Sequence, residues 1–186
     1  HDFKNDVTMD RDVSGNPGCV VLADDETLVA AIDNGIFSIS RTDWSVQRLV
    51  EADPIPRLRF NDGKCDEKGR LWVGTMDREE RDPLGTLYCC STESSLEPAH
   101  AGVTVSNGIA WSTNNEELYY IDSPTRCVCV FDFDLSSGQI KDKRELIKFM
   151  EDDGFPDGMT TDSEGRLWIA FWGGSKVLCI DPGSGK

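Results

Sequence analysis

The sequence predicts an all-β fold on three observations. Stretches of the chain repeat at steps of 44 to 50 residues. The segments inside each repeat are short, alternate in polarity and are rich in Val, Ile, Tyr, Trp and Phe, the residues that suit a pleated, half-buried surface. Turns bearing Gly, Pro and Asp separate them.

The repeat is clearest in two stretches, NDGKCDEKGRLWVG from Asn61 and DGMTTDSEGRLWIA from Asp157. Aligned without a gap, Asp66 meets Asp162, Gly69 meets Gly165, and GRLW meets GRLW. A weaker copy, NGIAWSTNNEELYY, starts at Asn107, and a fainter one, PGCVVLADDETLVA, starts at Pro17. Each copy is an apolar strand, a polar turn and a second apolar strand: LVAAI, LWVGTM, LYYID and LWIAFW. Further strands follow at GTLYCC, CVCVFDFD and KVLCID, set off by hairpin signals at DPLG, DLSSGQ and DPGSGK. The stretch KDKRELIKFMEDD has some helical character but is short, and reads as a strand with its flanks. Trp72 and Trp168 fall on strands and read as packing residues; Asp62 reads as a turn residue.

A repeat of ~40–50 residues holding about four short strands is a β-propeller blade. The expectation is one propeller domain over residues 1–186, about four blades and incomplete at both ends, with repeats starting near 17, 61, 107 and 157.

Composition narrows the function. With 19 basic against 34 acidic residues the net charge is −15, which disfavours nucleic acid and anionic membrane surfaces as partners. No apolar run is long enough for a membrane helix, and no signal peptide is visible at HDFKNDVTMD. The seven cysteines include no C-x-x-C pair, so a zinc knuckle is not indicated; reduced thiols in a cytoplasmic protein are expected. Cys127 and Cys129 are two apart on an alternating segment and would share a strand face. The two histidines, His1 and His100, have no partners at triad spacing, His100 lying in the loop-like EPAHAG.

Asn61, Asn107 and Asp157 take the same place in three successive repeats. In a propeller, equivalent places on innermost strands lie at one height around the central axis. Two amides and a carboxylate converging there suit a hard cation that takes oxygen ligands. Each residue alone also reads as ordinary turn chemistry; the shared register favours a site.

At RFNDGKCDEKGRLWVGTMD, VSNGIAWSTNNEELYYIDS, FDFDLSSGQI and PDGMTTDSEGRLWIAFWGG the chain resembles the senescence-marker-protein, gluconolactonase and luciferin-regenerating-enzyme family. The resemblance implies a six-bladed propeller holding one divalent cation, which could be calcium, zinc, magnesium or manganese. It marks Asn107 and Asp157 as metal ligands, and Arg59, Asn61 and Glu79 as substrate contacts. A third ligand of the family, a Glu near the first blade, has no match in these residues. The implied activity is hydrolysis of a sugar lactone, with Asp157 the carboxylate that orients or deprotonates water, in a protein expected to be monomeric at full length. A calcium-binding regulator without turnover and a propeller scaffold for other proteins are the competing readings.

Overall fold

The computed structural model describes residues 12–52, 55–90 and 95–185; His1 lies outside them. Four antiparallel sheets follow one another along the chain. The first holds β1 (Pro17–Leu22), β2 (Thr27–Ile32), β3 (Gly35–Ser40) and β4 (Val46–Glu51). The second holds β5 (Leu58–Cys65), β6 (Leu71–Asp77), β7 (Gly85–Cys90) and β8 (Leu96–Val103). In the third are β9 (Ser106–Trp111), β10 (Glu117–Asp122), β11 (Cys127–Asp134) and β12 (Gln139–Lys148). The fourth has β13 (Phe155–Thr161), β14 (Leu167–Trp172) and β15 (Lys176–Ile180) among the described residues. None of the described helices is long and apolar enough to cross a membrane.

Every sheet is a meander in sequence order, so its first strand forms one edge. Those first strands, β1, β5, β9 and β13, pack beside one another in turn. Edges that meet around a common line, with sheets radiating from it, make the blades of a β-propeller. KDKRELIKFMEDD is indeed a strand end followed by a single 3-10 turn, Glu151–Asp153.

Apolar side chains fill the space between successive sheets. Ala31, Ile36 and Phe60 meet Leu71 and Val73 between the first and second. Trp72 and Leu87 meet Trp111, Leu118 and Phe133 between the second and third, with Trp72 edge-on to both Trp111 and Phe133. Tyr119, Ile121 and Val128 meet Leu167, Ile169 and Phe171 between the third and fourth. Strand β6 has neighbours on both faces and is buried along its whole length, which is why LWVGTM reads as a continuous apolar run.

The pairing register slips at one place in every innermost strand. The slips fall between Pro17 and Cys19, Phe60 and Gly63, and Pro156 and Met159, and in β9 where Tyr120 and Asp122 face Ile109 and Ser106. The extra residues are Gly18, Asn61–Asp62, Asn107–Gly108 and Asp157–Gly158. A β-bulge leaves a residue unpaired and re-aims its side chain. Gly108 serves this packing directly, since a Cβ there would stand 2.6 Å from the Asp157 carbonyl oxygen on the next strand.

Three expectations need correction. Asp62 is no turn residue; it lies inside β5, in the bulge with Asn61. His100 lies in β8 rather than a loop, its ring packed edge-on against Phe131 and Tyr120. Trp168 is not a core residue here. Trp72 is 0% exposed because the third sheet covers it, whereas Trp168 is 42% exposed on the outward face of the fourth. No disulfide joins the seven cysteines, but only Cys89 and Cys127 are buried and Cys179 is exposed.

Candidate active site on the innermost strands

The bulges place Asn61, Asn107 and Asp157 around one cavity of about 460 Å³, and Arg59, two residues before Asn61 on β5, joins them. Phe155 and Trp172 form an aromatic wall, and Met76, Val105 and Pro124 add apolar surface. A larger acidic groove of about 690 Å³ opens by the outer strands β11 and β12, but two of its carboxylates, Glu117 and Asp132, already pair with Arg144. The inner cavity alone gathers the residues that share a register.

The hydrogen bonds decide which way each amide faces. Ser123 has one hydroxyl proton, and it goes to the Pro156 carbonyl at 2.7 Å. The Asn107 group facing Ser123 must therefore donate, and Nδ2 does so at 3.1 Å. Asn107 Oδ1 is left turned away, with no partner among the described residues. Asn61 differs. Its Nδ2 donates to the Ser106 carbonyl at 2.8 Å, and its Oδ1 accepts from Arg59 at 3.0 Å. Both ends of the Asn61 amide are committed, which sets it apart from Asn107 as a source of cation ligands.

Arg59 spends Nη1 on Asn61 and on the Phe60 carbonyl. Its Nε and Nη2 have no protein acceptor among the described residues. Burial, with the neighbouring Arg78, lowers its pKa, while Glu80 and Asp33 oppose that effect. Asp157 has no hydrogen-bond donor or cation among the described residues. Two free oxygen sources, the Asn107 carbonyl and the Asp157 carboxylate, thus line one cavity on adjacent strands.

Three residues that the sequence did not mark as site residues belong to this region. Asp62 is mostly buried beside Asp157; burial raises its pKa and the Asp157 charge adds to the rise, against the lowering bond from Gly63 N–H. Lys64 reaches from β5 across to β13, where its ammonium donates to Thr160 Oγ1 at 2.9 Å. Ser123, on the 3-10 turn Ser123–Thr125, ties Asn107 to the residue before Asp157.

The structure places the two adjacent glutamates of the β6–β7 loop differently. Glu80 lines the cavity, whereas Glu79 lies outside it, exposed and paired with Arg81 and Arg57. Asp77 causes this. Its fully buried carboxylate takes the Arg57 guanidinium and the backbone N–H groups of Glu79, Arg81 and Asp82. Burial pushes the Asp77 pKa up, but these donors outweigh it and hold the group well below the usual carboxylate range. The loop coils around Asp77, Glu80 takes a left-handed backbone at φ 55°, and its side chain faces the cavity.

No group of three or more His, Cys, Asp and Glu residues poised for a metal occurs among the described residues. The free oxygens here come instead from one carboxylate and one amide.

Comparison with known proteins identifies the family. The family model described as SMP-30/Gluconolactonase/LRE-like region matches residues 1–186. The chain belongs to this family. Regucalcin of Xenopus laevis is 38% identical over 91% of this chain and 58% of its own length. YvrE of Bacillus subtilis, whose name proposes a sugar lactone lactonase, is 37% identical over 84% of this chain and 54% of its own length. A solved luciferin-regenerating enzyme superposes with a TM-score of 0.86 at 31% identity, covering 92% of this chain and 60% of that one. The chain therefore spans a little over half the length of the curated relatives it matches.

Proposed function

We propose that these residues form most of the active site of a metal-dependent sugar lactonase. The observation that carries the reading is the pair of oxygens without a partner among the described residues, Asn107 Oδ1 and the Asp157 carboxylate, set by bulges on adjacent inner strands. An oxygen-only donor set fits a hard divalent cation that keeps water in its shell. Asn107 and Asp157 would hold such an ion, and its charge would polarise a lactone carbonyl.

The chain's own residues supply the rest. Arg59 presents two unspent N–H directions to sugar hydroxyls or the ring ester. Asn61 holds Arg59 in place through its Oδ1. The resemblance points to Glu79 as the acidic substrate contact; the loop geometry favours Glu80. Phe155 and Trp172 offer a face for the sugar ring. Asp157, with two carboxylate oxygens, orients the attacking water and accepts its proton. Family membership and the lactonase name of one relative support the substrate class.

The test uses the full-length protein. Hydrolysis of gluconolactone is followed with and without added divalent ions, in wild type and Asp157→Ala. The expected result is a loss of about 100-fold or more in the variant, and loss in chelator that returned metal reverses. Undiminished turnover in either case sinks the proposal.

A further inference from the structure

Two thiols outside this site stand in contact. Cys127 and Cys129 alternate onto the same face of β11, and their sulfurs are 3.6 Å apart. Cys127 is buried and Cys129 is partly exposed. Strand β12 is irregular beside them: pairing steps from Val128–Ile147 to Cys129–Glu145, leaving Leu146 as an extra residue. Such a bulge bends and twists the local ladder.

We propose that Cys127 and Cys129 form a redox-active dithiol, oxidised by hydroperoxides to a reversible intrastrand disulfide.

Reach decides whether the bond can form. Two residues of extended strand span about 6.6 Å between Cα atoms. Disulfides tolerate roughly 4.4–6.8 Å. The pair sits at the upper edge of that range, and the bulged neighbour gives the strand room to shorten. A bond formed at that edge is strained and easily reduced, which makes the pair a switch rather than a structural staple.

Reactivity differs among the chain's thiols. The two sulfurs share a hydrogen bond that either can donate; donated by Cys127, it lowers the Cys129 pKa, with Lys143 nearby helping, against the pull of burial. Glu145 and Asp122 oppose it. Burial raises the Cys19 thiol to about 12, and raises Cys65 and Cys90 as well. Peroxide must reach the sulfur it oxidises, and Cys129 is partly exposed while Cys127 is buried, so Cys129 is the attacking sulfur.

The steps balance. The Cys129 thiolate attacks one peroxide oxygen; the O–O bond breaks, Cys129 becomes a sulfenic acid, and the leaving oxygen takes a proton to become water or an alcohol. Cys127 then attacks the Cys129 sulfur; the S–S bond forms, the S–O bond breaks, and water leaves with the Cys127 proton. The two sulfurs give up two electrons, and the peroxide accepts them.

The test is mass spectrometry on the folded full-length protein after brief treatment with equimolar hydrogen peroxide. Remaining thiols are alkylated before digestion with trypsin. The peptide spanning residues 127–141 should appear lighter by two hydrogens and unalkylated, about tenfold faster than Cys179 is oxidised. Dithiothreitol should restore double alkylation. Cys179→Ser should leave the product unchanged, and Cys129→Ser should abolish it. A peptide that stays doubly alkylated, or that ends as a sulfinic acid at Cys129, overturns the proposal. None of these readouts depends on lactonase activity, so the two proposals fail separately.

Discussion

Asp66 and Asp162 show how a single carboxylate seals a turn. Asp66 Oδ1 accepts the backbone N–H of Lys68 and Arg70, and Oδ2 accepts Arg70 Nε and the Trp72 indole N–H. Asp162 makes the same four bonds with Glu164, Arg166 and Trp168. Gly69 and Gly165 take the left-handed backbone that lets each turn close, at φ 79° and 84°. The bonds explain why D-x-x-G-R-L-W recurs as a unit. Their weight differs, because Asp66 and Trp72 are buried while Trp168 is open to water. Asp66→Ala strands a buried indole N–H and a mostly buried guanidinium, and is expected to cost about 3 kcal/mol. Asp162→Ala leaves groups that water can satisfy, and its effect is expected to be clearly smaller. Urea denaturation of both variants checks the order; equal midpoints would refute the burial argument. The repetition itself was plain in the sequence. What each residue bonds was not, since periodicity identifies equivalent places and says nothing about burial at each.

At the level of elements, the site depends on bulges and on one loop. The bulges explain why Asn61, Asn107 and Asp157 were legible as candidates, whereas Arg59, which pairs regularly with Met76, was marked by the family resemblance alone. A bulge at the same register in each repeat needs polar or small residues there, and that pattern survives in the sequence. Asp62 was misread because Asn-Asp resembles turn chemistry when its strand context is unseen. The β6–β7 loop was less legible. DREERD looks like a solvated charge run, yet Asp77 is its buried hub and Arg57 its partner from the preceding segment. Which of two adjacent glutamates faces the cavity rests on one backbone angle, at Glu80. Together with the proposed lactonase reading, that gives a prediction for the full-length protein. Glu80→Ala should raise KM for gluconolactone about tenfold, as expected for one lost hydrogen bond to substrate. Glu79→Ala should leave KM nearly unchanged, because its carboxylate pairs with Arg81 and Arg57. Steady-state kinetics on the two single variants decides it. The reverse order would mean that the loop rearranges to present Glu79 when substrate binds.

At the scale of the whole molecule, the sheets bury apolar faces against each other, but among the described residues two outward faces carry exposed apolar side chains. Val20 and Leu22 are 59% and 67% exposed on the first sheet. Trp168, Trp172 and Val177 are 42%, 68% and 59% exposed on the fourth, where Trp168 and Trp172 alternate with the buried Leu167, Ile169 and Phe171. These are the faces that meet further sheets when propeller blades close into a ring, and the curated relatives are longer than this chain. Contiguous exposed apolar surface on a soluble polypeptide favours association. A net charge of −15 opposes it through repulsion that salt screens. The 186-residue polypeptide studied alone is therefore expected to associate as its concentration rises, and more so at 0.5 M salt, where the screening length is about threefold shorter, than at 0.05 M. Sedimentation velocity measures this directly. Val20→Glu with Trp168→Glu places a charge on each face, and should return the polypeptide to a monomer without disturbing Asp66 or the cavity-bearing strands β5, β9 and β13. Association that the double variant leaves untouched would place the contact elsewhere, with the acidic groove beside β11 and β12 the next surface to test. A wild-type polypeptide that stays monomeric at every salt concentration would show that the outward faces, though apolar, are not sticky enough to overcome the charge.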